Sequence, residues 1–200
     1  STGFPDGAPT RTGNAAVDYL SGTFGALGIV MGILQARATG KGMHVDVAML
    51  DCVLNTQDVP FLSPMNLGKE VPRYGNRLAY VTPFDTFKTK DGWLMIATAN
   101  NNNFGALAKV MGREELMQDP KFSDNYQRCI HEAELREIIA AWTVQHGTME
   151  LIGMLMKNGV PCSPIQNAGD MLKNPHAQAR GLVAEVTHSS GLKVKVPGVA

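Results

Sequence analysis

The residue placed best for covalent chemistry is Asp18, at the head of a long stretch of small and apolar side chains that includes Phe24, Ala26, Leu27, Ile29, Val30, Ile33 and Leu34. At the start of a helix, unpaired N–H groups and the positive end of the dipole favour an ionised carboxylate. A carboxylate is among the groups that can serve as a nucleophile, although on residue pattern alone the default for Asp18 is structural. The same position suits a plainer role as helix N-cap, and the two roles are compatible. Gly22, Gly25, Gly28 and Gly32 follow at three- and four-residue intervals. Each glycine costs a helix about 0.5–1 kcal/mol relative to alanine, so the stripe predicts that another helix or a ligand comes close to this face.

Other candidates have simpler explanations. His44 opens an alternating segment and reads as a surface or core histidine. Cys162 lies between two prolines, with no cation nearby to lower its pKa, and reads as packing. The run Asn100 to Asn103 is expected to cap a following helix, with a substrate amide contact as the lesser option. Arg37 and Lys41 could meet phosphates, but solvated charges at a helix end are the default. His131, His146, His176 and His188 show no metal-ligand spacing.

The elements that must position Asp18 follow from periodicity and breakers. Ser1 to Arg11 reads as a loop, Asp18 to Ala38 as a closely packed helix ended by Thr39-Gly40-Lys41-Gly42, Met43 to Val47 as a short strand, and Ala48 to Thr56 as helix. Pro60 to Pro72, with three prolines, reads as loop. A compact α/β unit is expected next: a hairpin of Pro83–Lys88 and Trp93–Thr98 around Thr89-Lys90-Asp91-Gly92, then helices near Phe104–Met111, Glu132–Gln145 and Met149–Lys157. Val160–Ile165 and Leu182–Val186 read as strands flanking a short helix at Ala168–Lys173, and Gly191 to Ala200 as a further strand. No repeat or low-complexity segment is visible.

Bulk properties exclude several classes. The 200 residues carry 18 basic and 18 acidic side chains, so no net field attracts nucleic acid or an anionic membrane. No apolar run approaches the roughly 20 residues needed to span a bilayer, and the first residues lack a secretory leader's basic and apolar regions. Cys52, Cys129 and Cys162 are odd in number and far apart, which points to a reducing, cytoplasmic setting without a disulfide framework. The chain begins without Met and stops inside an expected strand, so both ends read as cut.

Six segments, in order, resemble the family III CoA-transferases, the group that includes formyl-CoA:oxalate and carnitine CoA-transferases. They are Pro9-Thr10-Arg11 running into Ala16 to Gly22; Thr39 to Asp51; Arg73-Tyr74-Gly75-Asn76 with Pro83-Phe84 and Thr89 to Gly92; Asp119 to Phe122 with Arg128; Gly159 to Pro164; and Val196-Pro197-Gly198. The resemblance spans essentially the whole chain. It implies an α/β architecture, part of an interlocked-dimer fold: a helical large-domain segment at 1–65, a small α/β domain at 66–165, and a return segment to the large domain at 166–200. A nucleotide-binding half that supplies most CoA contacts would precede Ser1.

The resemblance further implies an acyl-CoA:carboxylate CoA-transferase in which Asp18 forms mixed anhydrides and an aspartyl-CoA thioester. Coenzyme A is then a co-substrate, with no resident cofactor or metal. The partners are an acyl-CoA donor, a carboxylic acid acceptor and a second copy of the chain. Formyl-CoA transferases follow the arginine-glycine-asparagine segment with a mobile run of glycines; here Arg77-Leu78-Ala79-Tyr80-Val81-Thr82-Pro83 stands instead, predicting a stiffer segment in which Arg77 and Tyr80 shape the acceptor pocket. A solvated loop charge is the alternative for Arg77. An α-methylacyl-CoA racemase shares the fold and stays open as the rival enzyme, although Tyr80 to Asn103 reads more like a transferase. A catalytically silent dimerisation fragment is the third reading of the 200 residues alone.

Overall fold

Small residues and a left-handed stop define the longest element. In the computed structural model, which describes residues 2–57 and 59–198, helix α1 runs over Ala16–Thr39 and ends where Gly40 turns to φ 74°, its N–H donating to the Ala36 carbonyl at 2.8 Å. The helix starts two residues earlier than its apolar periodicity predicts. Its N-cap is Ala15, which makes no side-chain capping bond, so Asp18 is not the cap but the third helical residue.

The chain divides between Arg77 and Leu78 into two units. In the first, α1 is followed by α2 (Met49–Leu54) and α3 (Val59–Leu67). Helix α3 occupies part of the stretch read as a proline loop. Pro60 falls in the first turn, where no N–H is needed, and Pro64 is accommodated inside. Met43–Val47, expected to be a strand, pairs in no ladder among the described residues. It lies along α1 instead: a Cβ on Gly28 would stand 2.5 Å from Val45 Cγ1, and one on Gly32 3.2 Å from Met43 Cγ.

Cys52 is the only buried side chain among the described residues of this unit, and α1 buries none. Phe24, Leu27, Ile29, Val30, Met31, Ile33 and Leu34 are all exposed. By length and composition α1 is long and apolar enough to cross a membrane. This corrects the expectation that no run approaches that length; interleaved glycine and alanine keep the helix apolar without a block of large side chains.

The second unit contains the hydrophobic core. Strands β1 (Phe84–Lys88) and β2 (Trp93–Ala97) form the expected hairpin, with Phe84 opposite Ala97 and Lys88 opposite Trp93. Strand β3 (Cys162–Pro164) adds antiparallel to the other edge of β2. Alternation sends Asp85, Phe87, Leu94 and Ile96 inward. Phe87, Leu94 and Ile96 pack with Phe104 and Leu107 of α4 (Asn101–Val110), Leu135 and Ile139 of α6 (Glu132–Thr143), and Leu151 and Leu155 of α7 (Thr148–Lys157). Between them a 3₁₀ turn at Glu114–Met117 and helix α5 (Asn125–Ile130) carry Leu116 and buried Arg128; periodicity identifies neither, because each spans only one or two turns.

The last segment holds α8 (Ala168–Lys173), α9 (Pro175–Ala179) and a hairpin of β4 (Val183–Thr187) with β5 (Lys193–Pro197). Helix α9 escapes the sequence reading, although Asn174 caps it through His176 N–H and Pro175 opens it. Ala177 is the only buried side chain among residues 166–198. Residues 199–200 of the expected final strand lie outside the described residues.

Candidate active site

Asp18 is exposed in the first turn of α1, where the backbone N–H groups lack intrahelical partners. Gly22 and Gly25 stand at i+4 and i+7, on the same helical face. A Cβ at either would meet nothing within 4 Å, whereas Gly28 and Gly32 further along are covered by Val45 and Met43. The glycine stripe therefore has two halves, one packed within this chain and one open beside the carboxylate.

The Arg73-Tyr74-Gly75-Asn76 segment is held to the start of the chain. Arg73 donates from Nε to the Phe4 carbonyl at 3.2 Å and from Nη2 to the Pro5 and Gly7 carbonyls, and Gly75 N–H donates to the Gly3 carbonyl at 3.0 Å. Gly75 adopts φ 68°, and a Cβ there would stand 2.7 Å from the Phe4 ring. Only glycine suits both the conformation and the contact. Arg77 is half-buried and lies over the Tyr74 ring, its Cζ 5.3 Å from the centroid.

Tyr80, the second expected acceptor-pocket residue, is exposed in the second unit at the tip of a loop closed by Leu78 N–H donating to the Phe84 carbonyl at 3.0 Å. The backbone of this loop is gripped from α5 and from the end of β2. Asn125 Nδ2 donates to the Tyr80 carbonyl at 2.9 Å, and its Oδ1 accepts from Thr82 N–H at 3.1 Å. Arg128 Nε donates to the Thr82 carbonyl at 2.8 Å. Thr98 donates from both N–H and Oγ1 to the Pro83 carbonyl, at 2.9 and 3.0 Å.

Arg128 is fully buried and reaches two more acceptors, the Phe122 carbonyl at 3.0 Å and Asn101 Oδ1 at 2.9 Å, with its guanidinium 4.5 Å above the Phe104 ring. Burial pushes its pKa down from the usual arginine value. Residue spacing points to α5's Asp124 cap, which accepts from Gln127 N–H, but not to the loop that Asn125 and Arg128 grip some 45 residues away.

Much of the asparagine run has structural work. Asn100 is the N-cap of α4, accepting from Asn103 N–H at 2.9 Å, while Asn101 receives Arg128 and Asn103 donates to the Gly159 carbonyl at 3.3 Å. His44 is exposed. His146 Nδ1 pairs with Glu150 at 2.9 Å. Burial raises the Cys162 thiol pKa, the wrong direction for a nucleophile. Among the described residues no group of His, Cys, Asp and Glu could hold a metal ion.

The family model described as CoA-transferase family III matches residues 1–200. The chain is 36% identical to the succinyl-CoA–D-citramalate CoA-transferase of Chloroflexus aurantiacus, covering 99% of this chain and 50% of that protein. It is 31% identical to the succinate–glutarate CoA-transferase of Agrobacterium fabrum, over 99% and 49%, and 33% identical to the acetyl-CoA:oxalate CoA-transferase of Acetobacter aceti, over 92% and 47%. A crystal structure of a CAIB/BAIF family protein from Brucella suis superposes with a TM-score of 0.75 at 30% identity, over 96% of this chain and 50% of that one. A Mycobacterium tuberculosis structure reaches 0.84 at 22% identity, a likeness of fold alone. The chain spans about half the length of the curated relatives it matches.

Proposed function

This chain belongs to CoA-transferase family III, and from that premise we propose that it is the nucleophile-bearing part of an acyl-CoA:carboxylate CoA-transferase. The observation that carries the reading is the placement of Asp18: an exposed carboxylate in the first turn of α1, with Gly22 and Gly25 leaving its helical face open. The orphan N–H groups of a helix's first turn can donate to oxygens placed there, and an open face has room for an acyl or thioester group.

In the proposed sequence the Asp18 carboxylate attacks the donor's thioester carbon, the C–S bond breaks, and CoA leaves as the thiolate from a mixed anhydride. The thiolate then attacks the Asp18 carbonyl carbon, forming aspartyl-CoA and releasing the donor's carboxylate. The acceptor carboxylate attacks that thioester and expels the thiolate again. Finally the thiolate attacks the acceptor's acyl carbon, giving the new acyl-CoA and restoring Asp18. Several relatives are named for succinyl-CoA and dicarboxylates, so a dicarboxylate acceptor is the first class to test. Arg77 is the cation we assign to the second carboxylate, and Tyr80 is a second residue we assign to the acceptor acid.

We further propose that the apolar surface of α1 is covered by the half of the protein that the longer relatives possess. The segments 1–65 and 166–200, which bury one described side chain each, are assigned to a large domain, and 66–165 to a small one, in an interlocked homodimer in the cytoplasm. The test is a transfer assay with the complete enzyme, succinyl-CoA and a panel of free dicarboxylates. Appearance of the acceptor's CoA ester supports the reading. Epimerisation of a 2-methylacyl-CoA without transfer would replace it with the racemase.

A further inference from the structure

The loop from Leu78 to Phe84 has its own positioning residue, and its chemistry is unusual enough to test. We infer that Asn125 sets the acceptor-binding geometry by holding the backbone on both sides of Val81; this rests on the proposed transferase reading, in which Arg77 and Tyr80 serve the acceptor. The side-chain amide acts as a substitute peptide group. Its Nδ2 donates to the Tyr80 carbonyl at 2.9 Å and its Oδ1 accepts from Thr82 N–H at 3.1 Å. The orientation of the amide follows from its partners, since a carbonyl only accepts and a peptide N–H only donates. Among residues of this length only asparagine offers both functions.

Helix α5 carries the grip as a unit. Asn125 and Arg128 are three residues apart and share a face, so Tyr80 O, Thr82 N and Thr82 O are all bound from it. Arg128 is anchored in the core beneath, on the Phe122 carbonyl and the Phe104 ring, so the tie carries the rigidity of the core to a loop whose tip, Tyr80, is exposed. Asn125 itself is only half-buried and outside the apolar cluster, so its removal loosens the loop without opening the core. It is a positioning residue acting through residues 80–82, not a group that touches substrate.

Asn125→Ala in the complete enzyme removes both bonds, and Asn125→Asp keeps the acceptor but sets a carboxylate against the Tyr80 carbonyl. Two neutral hydrogen bonds correspond to a rise of about fivefold to a hundredfold in the KM of the acceptor acid, with kcat and the KM of the acyl-CoA donor within about twofold of wild type. That split in Asn125→Ala, or in Asn125→Asp should the alanine variant not fold, supports the inference. Equal changes in both KM values, or a fall in thermal stability with kinetics intact, overturn it while leaving the transferase reading in place. A wild-type enzyme that transfers no CoA overturns both.

Discussion

Arg128 offers the sharpest quantitative check on what holds the second unit together. Replacing it with methionine keeps much of the aliphatic stem but removes every donor. Two acceptors then lose their partner inside the fold: the carbonyls of Thr82 and Phe122, both in buried residues. Asn101 is exposed and can turn its amide to water. Each buried orphan costs about 1–3 kcal/mol, and the lost contact over Phe104 adds about 1 kcal/mol. Against this stands the relief of burying a charge without a carboxylate ion pair, seen in the depressed pKa of the guanidinium. The net expectation is a loss of about 2–4 kcal/mol, a large share of the 5–15 kcal/mol typical of a domain. Both tryptophans, Trp93 and Trp142, lie in this unit, so their fluorescence during urea unfolding reports on it. With a urea slope of about 2 kcal/mol per molar, the midpoint should fall by roughly 1–2 M. A midpoint unchanged within about 0.2 M would refute the reasoning that this arginine joins the loop to the core.

Three further outcomes are expected. Gly28→Ala brings a methyl to 2.5 Å from Val45 Cγ1, a stiff β-branched side chain; it should lower the melting temperature despite alanine's better helix propensity, and Val45→Ala in the same chain should restore it. The Asp91 carboxylate is held below the usual aspartate range, chiefly by the Thr148 hydroxyl and then by Thr148 N–H. A depressed folded pKa gives stability that is fully present above about pH 4 and is lost as pH falls through the folded value, so Asp91→Asn should flatten the acid limb of stability measured by thermal denaturation. Arg77→Ala should raise the KM for a dicarboxylate acceptor far more than for a monocarboxylate, and an equal effect on both would remove Arg77 from the site.

How much of this was legible in the sequence depended on the range of the interaction. The hairpin around Thr89-Lys90-Asp91-Gly92 and the Asn158-Gly159 stop are set by turn and cap chemistry within a few residues and form where they are expected, while the asparagine run caps α4 from Asn100, three residues before the helix start read near Phe104. Pattern failed where partners are distant. The alternation over Met43–Val47 shows two faces but not what each meets, and the face carrying Met43 and Val45 meets α1 rather than a strand. Three prolines suggested a loop, yet Pro60 sits where a helix tolerates one. The identity of Arg128 as an anchor needed three acceptors spread over Thr82, Asn101 and Phe122. Position at the head of the apolar run marks Asp18 first as a cap, and only the family resemblance implies a nucleophile; the two-residue offset of the helix start makes it a first-turn carboxylate instead of the cap.

The central claim is that Asp18 is a covalent nucleophile, and trapping its intermediate tests this most directly. The complete enzyme is incubated with succinyl-CoA, quenched with hydroxylamine or borohydride, digested, and its peptides are weighed. The account predicts a hydroxamate or reduced side chain on the peptide containing Ala16-Val17-Asp18-Tyr19, absent without acyl-CoA and absent from inactive Asp18→Ala. An unmodified Asp18 peptide during turnover, or an Asp18→Ala enzyme that transfers CoA at the wild-type rate, would contradict it.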